Sequence, residues 1–270
     1  METLLNQFYY KPLKHLFMLA TDGDYREYYF KAQRLAFCQR YVEKKVSISG
    51  LDLLVPDVAS FLSSYREIFV NKIYKFPWVN DSPAILDLGS NIGLSILFFK
   101  SLFPKSYILG LEADPVIFKY LKNNVYENGC SDVVLLNKAA WHKKELLSFS
   151  SDSADGGKVS KQKNSNSSVE GVDIASILSK KKFDFLKMDI EGAEKFVLPA
   201  CGRFLNDISY IYIEYHSESG EPQALADILK ILSDFKFRLH IYDVYSNVAP
   251  FMGLKLSSGF DLQLNIFGWK

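Results

Sequence analysis

The sequence is short of the features that mark a secreted, membrane-bound or cysteine-caged protein. Its three cysteines, Cys38, Cys130 and Cys201, are odd in number, widely spaced and form no Cys-x-x-Cys pair. That excludes a disulfide framework and a cysteine zinc site, and leaves ordinary thiols. Surplus charge is missing as well: 32 Lys plus Arg stand against 31 Asp plus Glu. No global field therefore draws the chain to nucleic acid or to an anionic membrane, and a small or neutral substrate fits better. No apolar run approaches bilayer-spanning length, and the start, Met1-Glu2-Thr3-Leu4-Leu5-Asn6-Gln7, has no basic region leading into an apolar stretch and cleavage site. The expectation is a soluble, cytoplasmic protein without a transmembrane segment. What is present is apolar substance, 48% of 270 residues, enough for one large domain and an appendage.

The appendage is expected in residues 1 to 80. Tyr25, Tyr28, Tyr29, Ala32, Leu35 and Ala36 repeat at helical spacing behind the start signal Thr21-Asp22-Gly23-Asp24. Val46 to Ile48 and Leu51 to Val55 flank Ser49-Gly50 as a hairpin, and Val58 to Tyr74 reads as helix. These residues suggest a cap or a homodimerisation element, followed by the main domain from residue 81 to 270.

Residues 84 to 93 organise that domain. The apolar run Ala84 to Leu88 meets a turn punctuated by Gly89 and Gly93, and helical spacing follows at once in Leu94, Ile96, Leu97 and Phe98. A strand, tight loop and helix in that order present backbone N–H groups and a positive dipole end to a ligand. A plain βα turn would need the same small residues. From here strands and helices alternate, which predicts an α/β fold with a mainly parallel sheet covered on both faces. The predicted strands are Tyr107–Leu111, Val133–Leu136, Phe183–Met188 and Ile208–Ile213. Asp114-Pro115 starts one helix, and Gln223 to Phe235 forms another. Phe237–Val244 and Phe260–Phe267 have no helical pattern between them and should pair antiparallel at a sheet edge. Residues 150–168 read as a long polar loop, either a surface insertion or a lid.

Every polar cluster falls at the carboxyl end of a predicted strand, where open α/β sheets bind ligands. Glu112 follows Gly89 by 23 residues, a spacing that suits a carboxylate accepting both ribose hydroxyls. A dinucleotide and S-adenosylmethionine both fit a glycine loop with such an acid. The dinucleotide fingerprint needs a glycine where Asn91 stands, and a nicotinamide-dependent oxidoreductase would also want a Tyr-x-x-x-Lys pair. Asp87 before the loop suits a cofactor with a charged amino group and would repel a pyrophosphate. A non-catalytic module that binds a cofactor and presents its amino-terminal segment to a partner is the other alternative.

Three motifs in order, Ile85-Leu86-Asp87-Leu88-Gly89-Ser90-Asn91-Ile92-Gly93 with Glu112, Lys187-Met188-Asp189-Ile190-Glu191-Gly192-Ala193-Glu194, and Ile213-Glu214-Tyr215-His216, resemble those of the FkbM family of S-adenosylmethionine-dependent methyltransferases. The likeness runs from residue 84 to about 216. It implies a Rossmann-like class I methyltransferase fold, with seven strands in the order 3-2-1-4-5-7-6 and strand seven antiparallel. It further implies transfer of a methyl group to oxygen, often a hydroxyl of a sugar, glycan or glycosylated natural product. By the resemblance, Asp87, Gly89, Ser90, Asn91 and Gly93 cradle the methionine part of the cofactor and Glu112 the ribose. Ala113 and the turn Asn137 to Ala140, with Ala139, lie near adenine, and Asp189 to Glu194 line the space towards the acceptor.

A sugar hydroxyl needs its proton accepted as its bond forms. His216, ending the fifth predicted strand and titrating near neutral pH, is the first candidate base, with Asp189 and Glu191 as alternatives. Asp189, Glu191 and Glu214 can also hold a divalent ion through oxygen, although a metal is not required. Tyr215, Tyr242, Tyr245, Phe251 and Trp269 are candidate acceptor contacts, whereas His15, His142 and His240 have no constellation around them.

Overall fold

A computed structural model describes residues 11–150, 158–160, 167–245, 250–254 and 256–270. The chain divides into two compact units, Met1–Ile73 and Tyr74–Lys270.

In the first unit, α1 (Lys11–Thr21) is followed by α2 (Gly23–Leu35), whose start is fixed by Asp22 accepting a hydrogen bond from the Tyr25 amide at 2.9 Å. The hairpin forms as expected, β1 (Lys44–Ile48) pairing antiparallel with β2 (Leu51–Val55). Ser49 and Gly50 turn it with φ values of 49° and 78°, the backbone of a two-residue hairpin turn. The following helix is shorter than its apolar pattern suggests: α3 (Val58–Tyr65) gives way to a π turn over Arg66–Val70. Asp57 caps α3 and accepts from the Ser60 and Tyr41 amides and from Arg40 Nε. Burial pushes that carboxyl up, but these hydrogen bonds outweigh it and hold the pKa down at about 2.

The second unit is built on seven strands: β3 (Ala84–Leu88), β4 (Tyr107–Glu112), β5 (Val134–Asn137), β10 (Phe185–Met188), β11 (Tyr210–Glu218), β12 (Arg238–Asp243) and β13 (Phe260–Trp269). Their order across the sheet is β12-β13-β11-β10-β3-β4-β5. Numbered within the sheet, that is the expected 3-2-1-4-5-7-6. β3, β4, β5, β10 and β11 pair in parallel, and β13 runs antiparallel to both β11 and β12. The chain reverses its direction of growth between β3 and β10, which makes their carboxyl ends the switch point.

Successive strand residues face opposite sides. Leu86, Leu88, Leu186, Ile211 and Ile213 form one core with Ile174 and Leu178 of α6 (Ile174–Lys180), Val197 and Leu198 of α7 (Glu194–Cys201), and Ile228 and Leu232 of α8 (Leu225–Asp234). Residues from α4 (Leu94–Leu102) and α5 (Pro115–Glu127) are buried as well, among them Phe99 and Leu121. Asp114 accepts from the Val116 and Ile117 amides and so starts α5 with Pro115 in its first turn, as the sequence indicates.

Two expectations need correction. The fifth sheet strand does not end at Ile213 but runs to Glu218, because β13 extends the ladder through Glu214↔Asn265, Tyr215↔Leu264 and His216↔Gln263. The described residues of the predicted loop 150–168 belong to a second sheet of β6 (Ala139–Trp141), β7 (Glu145–Ser150), β8 (Lys158–Ser160) and β9 (Ser167–Asp173), in the order β6-β9-β7-β8. It forms because Leu147, Phe149 and Val169 alternate with polar or exposed neighbours and bury against Ala139 and Trp141. Residues 151–157 and 161–166 of the predicted loop lie outside the described residues. Among the described residues, no helix is long and apolar enough to cross a membrane.

Leu86 sits in the middle of the sheet and is fully buried. Leu86→Ala is expected to cost about 2–5 kcal/mol, read by urea denaturation.

Candidate active site

The glycine loop is shaped by contact. Gly89, Asn91 and Gly93 have φ of 80°, 47° and 95°, a left-handed backbone that glycine adopts freely and asparagine tolerates. At Gly89 space decides as well: a Cβ there would lie 1.7 Å from the carbonyl oxygen of Asp189. The loop after β3 therefore touches the turn after β10 through bare backbone. It is also tied to its other neighbour, since the Gly89 and Ser90 amides both donate to Leu111 O, at 3.0 and 2.9 Å.

Glu112 ends β4 and continues this tie. Its carboxylate accepts from the Asn91 amide at 2.9 Å and from the Asp114 amide at 2.8 Å. Asn137 Nδ2 donates to Glu112 O and Ala113 O, which fixes the turn beyond β4. Burial raises the Glu112 carboxyl to about 7, against the lowering effect of the two amides and of the more distant Lys187 charge, with Asp114 adding a raising one.

Asp87, Ser90, Gly93 and Asn137 stand behind the cleft and do not line it. Asp87 is fully buried, accepts from Ser95 Oγ, and pairs with Lys187 Nζ at 3.3 Å. Lys187 also donates to Gly89 O at 2.7 Å and lies 3.5 Å from Asp189. Burial works against the ammonium charge, yet Asp87 and Asp189 raise its pKa above the ordinary value. The expected cradle for a charged amino group is thus an internal ion pair that holds two adjacent strand ends together.

The cleft itself is lined by Gly89, Asn91, Glu112, Ala113, Ala139, Asp189 and Glu191 from the predicted set. Ile117, Lys138, Phe149, Ile190 and Ala193 also line it. Phe149 belongs to the second sheet, and the Ser-rich composition around it conceals a strand; the alternation of Leu147 and Phe149 with serines was the available signal.

At the far end stands an acidic cluster around one histidine. Glu191 and Gly192 adopt φ of 55° and 92°, and the turn is closed by Glu194, which accepts from the Ile190 and Gly192 amides at 3.0 Å each. Fully buried Glu194 also faces His216 Nδ1 at 3.3 Å, while His216 Nε2 lies 3.6 Å from Glu191 and 3.7 Å from Glu214. Burial favours neutral imidazole, but Glu194, Glu191 and Glu214 together raise the His216 pKa to about 10. Its expected titration near neutrality is displaced by these carboxylates, and a charged imidazolium has no lone pair with which to accept a proton. His216 and Glu214 lie inside β11 behind the cleft wall, whereas Glu191 and Asp189 reach the cleft.

The suggested aromatic contacts disperse. Tyr215 is buried in the core with its hydroxyl accepting from the Ala224 amide, because strand alternation turns it away from His216. Trp269 pairs in register with Tyr210 and Arg238, at the opposite edge of the sheet from the cleft. Tyr242 stacks on Phe267 at the sheet edge, and Tyr245 donates to Phe260 O. Phe251 is fully exposed.

Replacing Lys187 by Gln leaves Asp87 buried without its ion-pair partner. A loss of about 3–5 kcal/mol in urea denaturation is expected.

With known proteins the comparison is as follows. Residues 87–239 match the model of the methyltransferase FkbM domain. Methyltransferase sdnD of Sordaria araneosa is 38% identical over 64 residues, 24% of this chain and 25% of that protein. Methyltransferase 1 of Beauveria bassiana (strain ARSEF 2860) is 35% identical over 69 residues, 26% of this chain and 28% of its own. The match therefore spans only about a quarter of the length of these curated relatives. The crystal structure of methyltransferase FkbM from Methylobacillus flagellatus KT superposes on 73% of this chain and 46% of its own, with 18% identity and a TM-score of 0.49. The family's model takes in more than half of the chain and both strand-end motifs that build the cleft, and the chain belongs to the FkbM methyltransferase family.

Proposed function

We propose that the chain is an S-adenosylmethionine-dependent O-methyltransferase acting on a hydroxyl of a sugar, glycan or glycosylated natural product. The observation that carries this reading is a cleft at the switch point with two unlike ends. One end is the glycine loop with Glu112, and the other is the acidic turn Asp189 to Glu194. The residues fit the cofactor: Gly89 leaves bare backbone where any side chain would collide, and Glu112 offers a carboxylate to vicinal hydroxyls. Gly89 and Asn91 would hold the methionine part, Glu112 the ribose, and Ala113 and Ala139 the adenine.

S-adenosylmethionine supplies an activated methyl group, and its transfer to a hydroxyl releases a proton that must be taken up. Glu191 is the carboxylate on the cleft wall assigned to take it, with Asp189 beside it. His216 lies behind Glu191 and balances its charge. Glu194 holds the turn and the imidazole in place, a positioning role. The exposed Leu13, Leu16 and Phe17 of α1 support a homodimer formed through the amino-terminal segment.

Calorimetry with S-adenosylmethionine tests the reading; absence of binding refutes it. The affinity is expected to fall as pH drops from 8 to 6. The sign follows from Glu112: its carboxylate form accepts ribose hydroxyls, and protonation with a pKa of about 7 converts an acceptor into a donor. Glu112→Gln should flatten that profile. In assays against glycan acceptors, Glu191→Gln is expected to lower turnover by about 10²–10⁴ while cofactor affinity stays the same. Light scattering of the full chain tests the dimer, which Phe17→Glu should dissociate.

A further inference from the structure

We propose that Asp189, Glu214 and His216 form a divalent-cation site beside the cleft, which takes an acceptor through adjacent hydroxyl oxygens. The proposal rests on the methyltransferase reading for its role in the reaction, but not for the existence of the site.

One ligand atom from each of the three residues lies within 4.8 Å of the other two. A cation held at about 2.0–2.2 Å from each donor needs them slightly closer than that, a contraction within reach of side-chain adjustment. Glu214 and His216 are two residues apart on β11 and so share a face, and Asp189 comes from the end of the neighbouring strand β10.

The imidazole has a carboxylate on its second nitrogen. Glu194, fully buried and fixed by two backbone amides, lies against Nδ1 at 3.3 Å. A carboxylate on the second nitrogen is the usual support of a metal-ligating histidine, since it sets the tautomer and directs the Nε2 lone pair outward. The Phe260 ring, with its centroid 4.8 Å away, packs against the imidazole.

The space between two of the donors is taken by a side-chain amide. The Gln263 amide nitrogen sits between the proposed donors, 2.5 Å from Glu214 Oε1 and 3.0 Å from His216 Nε2. A divalent ion takes this place by displacing the proton from His216 and the amide from Glu214. Gln263 is only partly buried and can withdraw, or turn its carbonyl oxygen inward as a further ligand. Around this point stand the carboxylates of Asp189, Glu191, Glu194 and Glu214, while the nearby Lys187 is shared with Asp87.

Two carboxylates and one imidazole suit Mn²⁺ or a related first-row ion, not a thiolate-seeking one. Three protein donors leave coordination positions open for the paired hydroxyls of a ring diol. Such an ion would lower the pKa of the hydroxyl it binds and orient it towards the cleft.

The test uses Mn²⁺ alone with the full chain, without S-adenosylmethionine or acceptor, so its failure is separable from failure of cofactor binding. Electron paramagnetic resonance and calorimetry should report one bound Mn²⁺ per chain, with a directly coupled nitrogen in the spin-echo modulation. Glu214→Gln should weaken binding at least tenfold, and Gln263→Ala should leave it unchanged or tighten it. Circular dichroism checks that each variant is folded. The absence of Mn²⁺ binding, bound Mn²⁺ without a coupled nitrogen, or equal affinity in folded Glu214→Gln would each overturn the proposal; the nitrogen signal needs no variant.

Discussion

The second unit depends on one close approach, the backbone of Gly89 against the carbonyl of Asp189. Strands β3 and β10 are neighbours at the point where the sheet changes its direction of growth, and the loops leaving them must diverge around a ligand. Here they touch before they diverge. A side chain at Gly89 would occupy the place of the Asp189 carbonyl, so it is the lack of one that brings the two halves of the cleft into contact. Lys187 reinforces the same junction from inside the sheet, through Asp87 on one strand and Gly89 O on the loop. Burying a charge is costly unless it is paired and hydrogen-bonded, and both conditions are met only when the two strand ends are in register.

The electrostatics of the cleft follow from that junction. Its glycine-loop end consists of backbone amides answered by Glu112, while its opposite end carries carboxylates answered by His216. The two ends therefore differ in what they can receive. A carboxylate tied to two amides is rigid and suited to recognition, whereas a group of carboxylates around a buried imidazole is suited to holding or moving positive charge. The proposed methyl transfer to a hydroxyl calls for both properties, a fixed donor position and a place for the released proton.

Much of this was legible in the chain. The apolar runs ending at Leu88, Glu112 and Met188 stand next to turn residues and read as buried strands, and Asp114-Pro115 marked its helix start. The extent of β11 was not legible, because Glu214, Tyr215 and His216 form strand only by pairing with β13, which lies almost fifty residues away in the chain. The second sheet was hidden for a related reason: its strands are rich in serine, and its few buried residues gain burial only against one another. The position of Asp87 was read correctly, but a strand-end acid carries no sign of whether it faces a ligand or an internal lysine. For His216 the residue type suggested neutrality, whereas its ionisation is governed by carboxylates from the turn after β10 and from its own strand, a convergence that only the fold creates.

The alternation along β11 binds two requirements into one short segment. Tyr215 belongs to the core and anchors the Ala224 amide, while Glu214 and His216 on either side of it face the polar cluster. A residue gained or lost before Tyr215 would exchange these faces, sending the tyrosine among carboxylates and the histidine into hydrocarbon. The register shift at Ser217 and Glu218 comes after His216, where an irregularity no longer changes which side the cluster residues take. The spacing from the strand's start to His216 therefore constrains the cluster as firmly as the histidine itself. A substitution there changes one side chain, whereas an insertion or deletion turns the whole segment over.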